Sequence, residues 1–123
     1  MSLAKEVDYK ITETDYLDGE RISDIKHEYI DGVVYAMAGA SSKHNIIAKN
    51  ISFLLESSLR EKNLACDVFS SDMKVKIAKP DISFFYPDVM LVCDSDDEDS
   101  YYQNSPLIIV EVLSQSTRRN DFT

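Results

Sequence analysis

An α+β fold, with a mixed, mainly antiparallel sheet flanked by one long helix, follows from three features of the sequence. Asp31-Gly32 separates two β-prone runs, Lys26–Ile30 and Val33–Met37, which is a strong hairpin signal. Residues 44–62 contain neither Gly nor Pro, and Ile47, Ile51, Leu54, Leu55 and Leu59 recur at helical spacing. Leu107–Leu113 is a nearly continuous apolar run, the pattern of a central buried strand.

The 123 residues suit one compact domain spanning 1–123, because two domains of this total length would each bury too little apolar surface. Hydrophobic residues at 44% and charged residues at 28% exclude a disordered chain, and no apolar run approaches the roughly 20 residues of a bilayer span. Met1–Lys10 lacks the apolar segment of a secretory signal, so a cytoplasmic location with no membrane partner is expected. Cys66 and Cys93 lie far apart without metal-site or dithiol spacing, and read as two reduced structural thiols. The net charge of −9 argues against tight, sequence-independent binding of DNA by the bare protein. It leaves room for a nuclease, because clustered carboxylates can hold divalent cations that then meet the phosphate. Part of the excess is local: Asp94, Asp96, Asp97, Glu98 and Asp99 read as a solvated loop.

The elements follow in order. Thr12 with Asp15 three residues on resembles a capping box, and Gly19 supplies a stop, so a short helix over 13–18 is predicted. The hairpin puts Glu28 on a strand beside its tight turn. Ser41 or Ser42 caps the long helix and places His44 in its first turn, where backbone N–H groups favour an anionic neighbour. Val68–Ile77 alternates, with Phe69, Met73, Val75 and Ile77 on one face and Ser70, Asp72, Lys74 and Lys76 on the other, the period of one half-buried strand. Pro80 breaks the chain. Ser83–Val92 then reads as a strand in which Pro87 marks an edge, a bulge or an interruption of the ladder.

Two acids stand where burial alone would not put them: Asp88, amid Tyr86, Val89, Met90 and Leu91, and Glu111, amid Ile108, Ile109, Val110 and Val112. A carboxylate in such a strand is expensive to bury unless it is paired, protonated or bound to a metal. If the two strands form an antiparallel meander, facing residues lie within about 5 Å, and two carboxylates that close repel unless a cation lies between them. Mg2+ or Mn2+ suits oxygen donors of this kind and could activate a water against a phosphodiester. For each acid taken alone, a local cap or salt bridge is the competing explanation.

Tyr86-Pro87-Asp88-Val89-Met90 followed by Ile109-Val110-Glu111-Val112-Leu113-Ser114 resembles the Uma-type restriction endonuclease family, a branch of the PD-(D/E)XK nuclease superfamily. So do His27-Glu28-Tyr29-Ile30-Asp31-Gly32, the run Ala38-Gly39-Ala40-Ser41 leading to His44-Asn45, and Phe69-Ser70-Ser71-Asp72-Met73. The similarity extends from about Thr12 to Asp121, and the order of several motifs makes it specific. It implies a restriction-endonuclease-like core of helix, three-stranded meander, helix and further strand. It also implies a metal-dependent endonuclease acting on DNA, with Asp88 and Glu111 as catalytic metal ligands, the Val112 carbonyl as an extra ligand and Glu28 assisting. His44, Asp72 and Lys74 would stand nearby.

Two departures bear on activity. Leu113 occupies the place, two residues after Glu111, where the superfamily has its lysine. In similar Uma-type members that lysine is supplied by a following helix, beyond an Asp resembling Asp121, and this chain reaches only Thr123. Lys74 and Lys76 are the substitutes within the sequence. A fold truncated in this way would leave Leu107–Leu113 uncovered, so a homodimer is expected, with the segment from Ser116 ordered only against a partner. The competing function is that of a catalytically inactive nuclease-like module serving in oligomerisation or interaction.

Overall fold

The computed structural model describes residues 10–93 and 99–113; residues 1–9, the acidic segment 94–98, and residues 114–123, which include Ser114 and the segment from Ser116 onward, lie outside the described residues. In chain order the elements are α1 (Glu13–Ile22), β1 (His27–Ile30), β2 (Val33–Ala36), α2 (Ser42–Glu61), β3 (Asp67–Phe69), β4 (Lys74–Ile77), β5 (Ser83–Phe85), β6 (Val89–Val92), β7 (Tyr102–Gln103) and β8 (Ile108–Val110). The fold is α+β with mixed, mainly antiparallel strands, as the sequence predicts. The chain divides into two compact units, Met1–Ala38 with Lys76–Phe85, and Gly39–Val75 with Tyr86–Thr123. Among the described residues no helix is long and apolar enough to cross a membrane.

In the first unit Thr12 caps α1 as its hydroxyl accepts the Asp15 N–H at 3.1 Å. The helix does not stop at Gly19 but runs on to Ile22. A helical glycine forfeits only about 1 kcal/mol, and the following Glu20 is anchored: its carboxylate accepts the backbone N–H of His27 at 3.0 Å and lies 2.7 Å from His27 Nδ1. Tertiary contact therefore overrides the local stop signal. The hairpin forms at Asp31-Gly32, whose φ values of 45° and 87° match the left-handed pair that a two-residue turn needs. β5 adds to β1 in antiparallel register, Tyr29 opposite Phe84. Tyr16, Tyr29 and Phe84 form the core, with ring centroids 5.0 to 6.0 Å apart. The buried phenols are satisfied, Tyr16 donating to the carbonyl of His27 and Tyr29 to that of Ile11.

In the second unit Ser41 caps α2 and the helix packs on β3 and β6. Its buried side follows Ile51, Leu55 and Leu59, four residues apart, whereas Ile47 and Leu54 face outward. β6 lies between β3 and β8, antiparallel to both, and all four of its residues are buried. This corrects the sequence reading of Leu107–Leu113 as the central strand. Among the described residues β8 is three residues long and lies at the edge, with Ile108 and Ile109 exposed. Apolar composition signals burial on both faces, but cannot tell which of two such strands has neighbours on both sides.

The predicted strand over Val68–Ile77 is two strands. Met73 N–H donates to the Ser70 carbonyl, closing a turn at Ser70-Ser71-Asp72 between β3 and β4. β4 pairs in parallel with β7, Lys74 opposite Tyr102 and Val75 opposite Gln103. Likewise Ser83–Val92 is interrupted at Tyr86-Pro87-Asp88, one of the outcomes expected of Pro87, and β5 and β6 join different strand sets. The two reduced thiols are also corrected: Cys66 and Cys93 form a disulfide. They sit one step beyond the Asp67–Val92 pair of β3 and β6, so strand register brings together two residues remote in sequence.

Candidate functional site

β6 and β8 meet in the register Val89–Val110, Met90–Ile109 and Leu91–Ile108. One step further places Asp88 opposite Glu111, at the point where Pro87 has ended the ladder. The two acids contact through the backbone: Asp88 N–H donates to Glu111 Oε1 at 3.3 Å, and Val112 N–H donates to Asp88 Oδ2 at 2.7 Å. Directly opposed residues of an antiparallel pair share a face. The fold thus brings Asp88 and Glu111 together at one end of the β6–β8 pair, although Glu111 is exposed where a buried carboxylate was expected.

α2 contributes a third group. His44 is at the third helical position, its N–H donating to Ser41 Oγ at 3.2 Å, and its Nε2 lies 3.1 Å from Asp88 Oδ2. The side chains of this pair are 17% and 15% exposed, enough to shield the contact from bulk water while leaving the carboxylate reachable. Oδ2 of Asp88 thus has two nitrogen neighbours, and Oδ1 makes no hydrogen bond among the described residues.

Lys74 is a correction as well as a candidate. Strand alternation predicts it on the solvent face with Asp72 and Lys76, but it is only 6% exposed and its ammonium sits 5.3 Å from the centre of the Tyr86 ring. Val75 is buried as well, so the start of β4 is covered on both faces and alternation does not separate an inner side from an outer one; the polar run Ser70-Ser71-Asp72 signals only that β4 begins a separate strand. Asp72 lies in that turn and is exposed. Glu28 belongs to the first unit, on β1 opposite Tyr35. There it lines a pocket of about 380 Å3 with Ile30, Ile77, Pro80 and Phe85.

The donor set around Asp88 can be judged against a divalent cation. Asp88 and Glu111 offer hard carboxylate oxygens, the donor type taken by Mg2+ and Mn2+, ions that bind through one or two carboxylates and keep several waters. Among the described residues no group of three or more His, Cys, Asp or Glu side chains is disposed to hold a metal ion. The residues therefore fit a largely hydrated ion held by two carboxylates, and do not fit a closed cage of protein ligands.

A family model described as "Uma2: Putative restriction endonuclease" matches residues 14–123. The chain belongs to this family. The matched range includes Glu28, His44, Asp88 and Glu111. Two relatives from Synechocystis sp. (strain ATCC 27184 / PCC 6803 / Kazusa) are similar: uncharacterized protein slr1290, 36% identical over 91% of this chain, and uncharacterized protein sll1609, 36% identical over 86% of it. The chain spans 58% and 60% of the length of these two relatives.

Proposed function

We propose that this Uma2-family chain carries the site of a metal-dependent endonuclease that hydrolyses DNA phosphodiester bonds. One observation carries the reading: Asp88 and Glu111, remote in sequence, stand opposite each other one step beyond the β6–β8 ladder, in a family described as "Putative restriction endonuclease". Asp88, through Oδ1, and Glu111 would hold Mg2+ or Mn2+, with the Val112 carbonyl as a further oxygen donor. A bound ion of this type supplies Lewis acidity toward a phosphoryl oxygen and lowers the pKa of a coordinated water. The chain's own residues do the positioning. Val112 N–H fixes the Asp88 carboxylate, and the Lys74 ammonium rests on the ring of Tyr86, two residues before Asp88 in sequence. DNA as substrate accords with a cytoplasmic location. With a net charge of −9, affinity for DNA would depend on the cation.

A second reading, a catalytically inactive module that self-associates, draws on Leu113 in the superfamily's lysine place and on the exposed Leu107, Ile108 and Leu113 at the β8 edge. Mn2+ titration by calorimetry, followed by plasmid cleavage in Mg2+ or Mn2+, separates the two. Binding and cleavage that are both lost in Asp88→Asn/Glu111→Gln support the nuclease. Binding without cleavage supports the inactive module, and a double variant that binds Mn2+ as the parent does would sink the metal site.

A further inference from the structure

Asp88 Oδ2 is approached by two nitrogen groups from different elements, Val112 N–H at 2.7 Å from beyond β8 and His44 Nε2 at 3.1 Å from the first turn of α2. From this geometry we infer that His44 is a positioning residue: protonated on Nε2, it donates to Asp88 and turns the carboxylate so that only Oδ1 is presented to a cation. The inference rests on the metal-site reading above and adds to it the device that fixes the ligand's orientation.

A lone hydrogen bond leaves a carboxylate free to swing about its last torsion, whereas two donors in different directions on one oxygen define its plane. The Val112 donor is backbone and moves with the strand. The His44 donor is a side chain whose own base is fixed, because Ser41 Oγ accepts the His44 N–H at 3.2 Å and holds the first turn of α2 in place. No second acceptor competes for Nε2 among the described residues. The 20-residue helix, packed on β3 and β6, thereby sets the orientation of an acid carried at the start of β6. A partner that orients a metal-binding carboxylate typically changes metal affinity by about 10- to 100-fold when removed.

The test compares His44→Leu, which keeps bulk but has no donor, with His44→Gln, whose amide nitrogen can reach the same oxygen. Free Mn2+ is followed by electron paramagnetic resonance in titrations of both variants and the parent protein, each first shown to be folded by circular dichroism. The expected result is Mn2+ binding weakened about 10-fold or more in His44→Leu and restored to within about 3-fold of the parent in His44→Gln. Equal affinity in the parent and His44→Leu overturns the inference, as does a His44→Gln protein no better than His44→Leu. A metal-free readout separates failure of the inference from failure of the metal site. In 15N–1H spectra of the parent, the His44 ring should carry its proton on Nε2, and the resonance should shift in Asp88→Asn. A parent protein with that signature but no Mn2+ affinity overturns the metal site and leaves the contact standing; a ring protonated only on Nδ1 overturns the contact itself.

Discussion

The backbone N–H of Val112 and the side chain of Asp88 are joined by a 2.7 Å hydrogen bond across the end of the β6–β8 pair, 24 residues apart in sequence. An acid at this point has a structural use and a chemical one at once. Its carboxylate accepts a backbone N–H at the point where the β6–β8 ladder ends, while its other oxygen makes no hydrogen bond among the described residues.

Asp88 therefore separates folding from chemistry. Asp88→Asn keeps an oxygen for Val112 N–H, so stability should change by less than about 1 kcal/mol, whereas Asp88→Ala leaves a part-buried N–H without acceptor and should lower stability by about 1–3 kcal/mol. Both should lose Mn2+ binding. Urea unfolding beside calorimetric titration checks this, and an asparagine variant as unstable as the alanine one would argue against the dual role.

Gly32 has φ near 87°, and a Cβ there would come within 2.7 Å of the Lys10 side chain. Gly32→Ala should destabilise the protein by about 1–2 kcal/mol through the left-handed backbone alone, with more to come if Lys10 cannot move aside. A thermal melt unchanged from the parent would contradict the turn geometry.

Burial raises the pKa of the Tyr29 phenol above its ordinary value near 10, with the negative charges of Glu13 and Asp31 adding to the effect and Lys10 opposing it. The native state thus favours the neutral phenol. Stability from this group is complete below pH 10, and it declines as pH rises through and beyond that value because the unfolded chain ionises first. Tyr29→Phe should lose about 1 kcal/mol near neutral pH, where the bond to the Ile11 carbonyl disappears, and should show a shallower decline in alkali. Denaturant midpoints from pH 7 to 11 give the comparison; parallel profiles would count against the shifted phenol.

Cys66 and Cys93 close a loop with a sequence separation of 27. On loop-closure grounds, reduction should lower stability by about 3–4 kcal/mol. Melting with and without a phosphine reductant, against Cys66→Ser/Cys93→Ser as the reduced reference, measures it. A parent protein indifferent to reductant, and melting with Cys66→Ser/Cys93→Ser, would show that the bond is absent in solution.

Among the described residues no strand pairs with the outer edge of β8, and Ile108 is 42% and Leu107 66% exposed, an edge of the kind that invites association. Sedimentation should report a species heavier than the 14.0 kDa monomer, reverted toward it by Ile108→Lys. Equal sedimentation of the two proteins would remove the homodimer from the proposal.

Local chemistry was legible in the sequence wherever a residue's conformation depends on its immediate neighbours. Thr12 and Ser41 capped as predicted, because a side-chain oxygen within reach of the third N–H needs nothing from afar. Asp31-Gly32 turned the hairpin, because left-handed backbone is cheap for those two residue types. The Asp88 and Glu111 pair was visible as charge set against apolar surroundings. Tertiary structure decided the rest. Whether Gly19 ends a helix depended on Glu20 finding His27, which strand holds the centre depended on how many neighbours each acquired, and the joining of Cys66 to Cys93 depended on register. The same holds for His44 beside Asp88, since a helix start and a strand start 44 residues apart meet only when α2 lies on β6. Periodicity describes what one element prefers to bury, and only packing between elements selects what it meets.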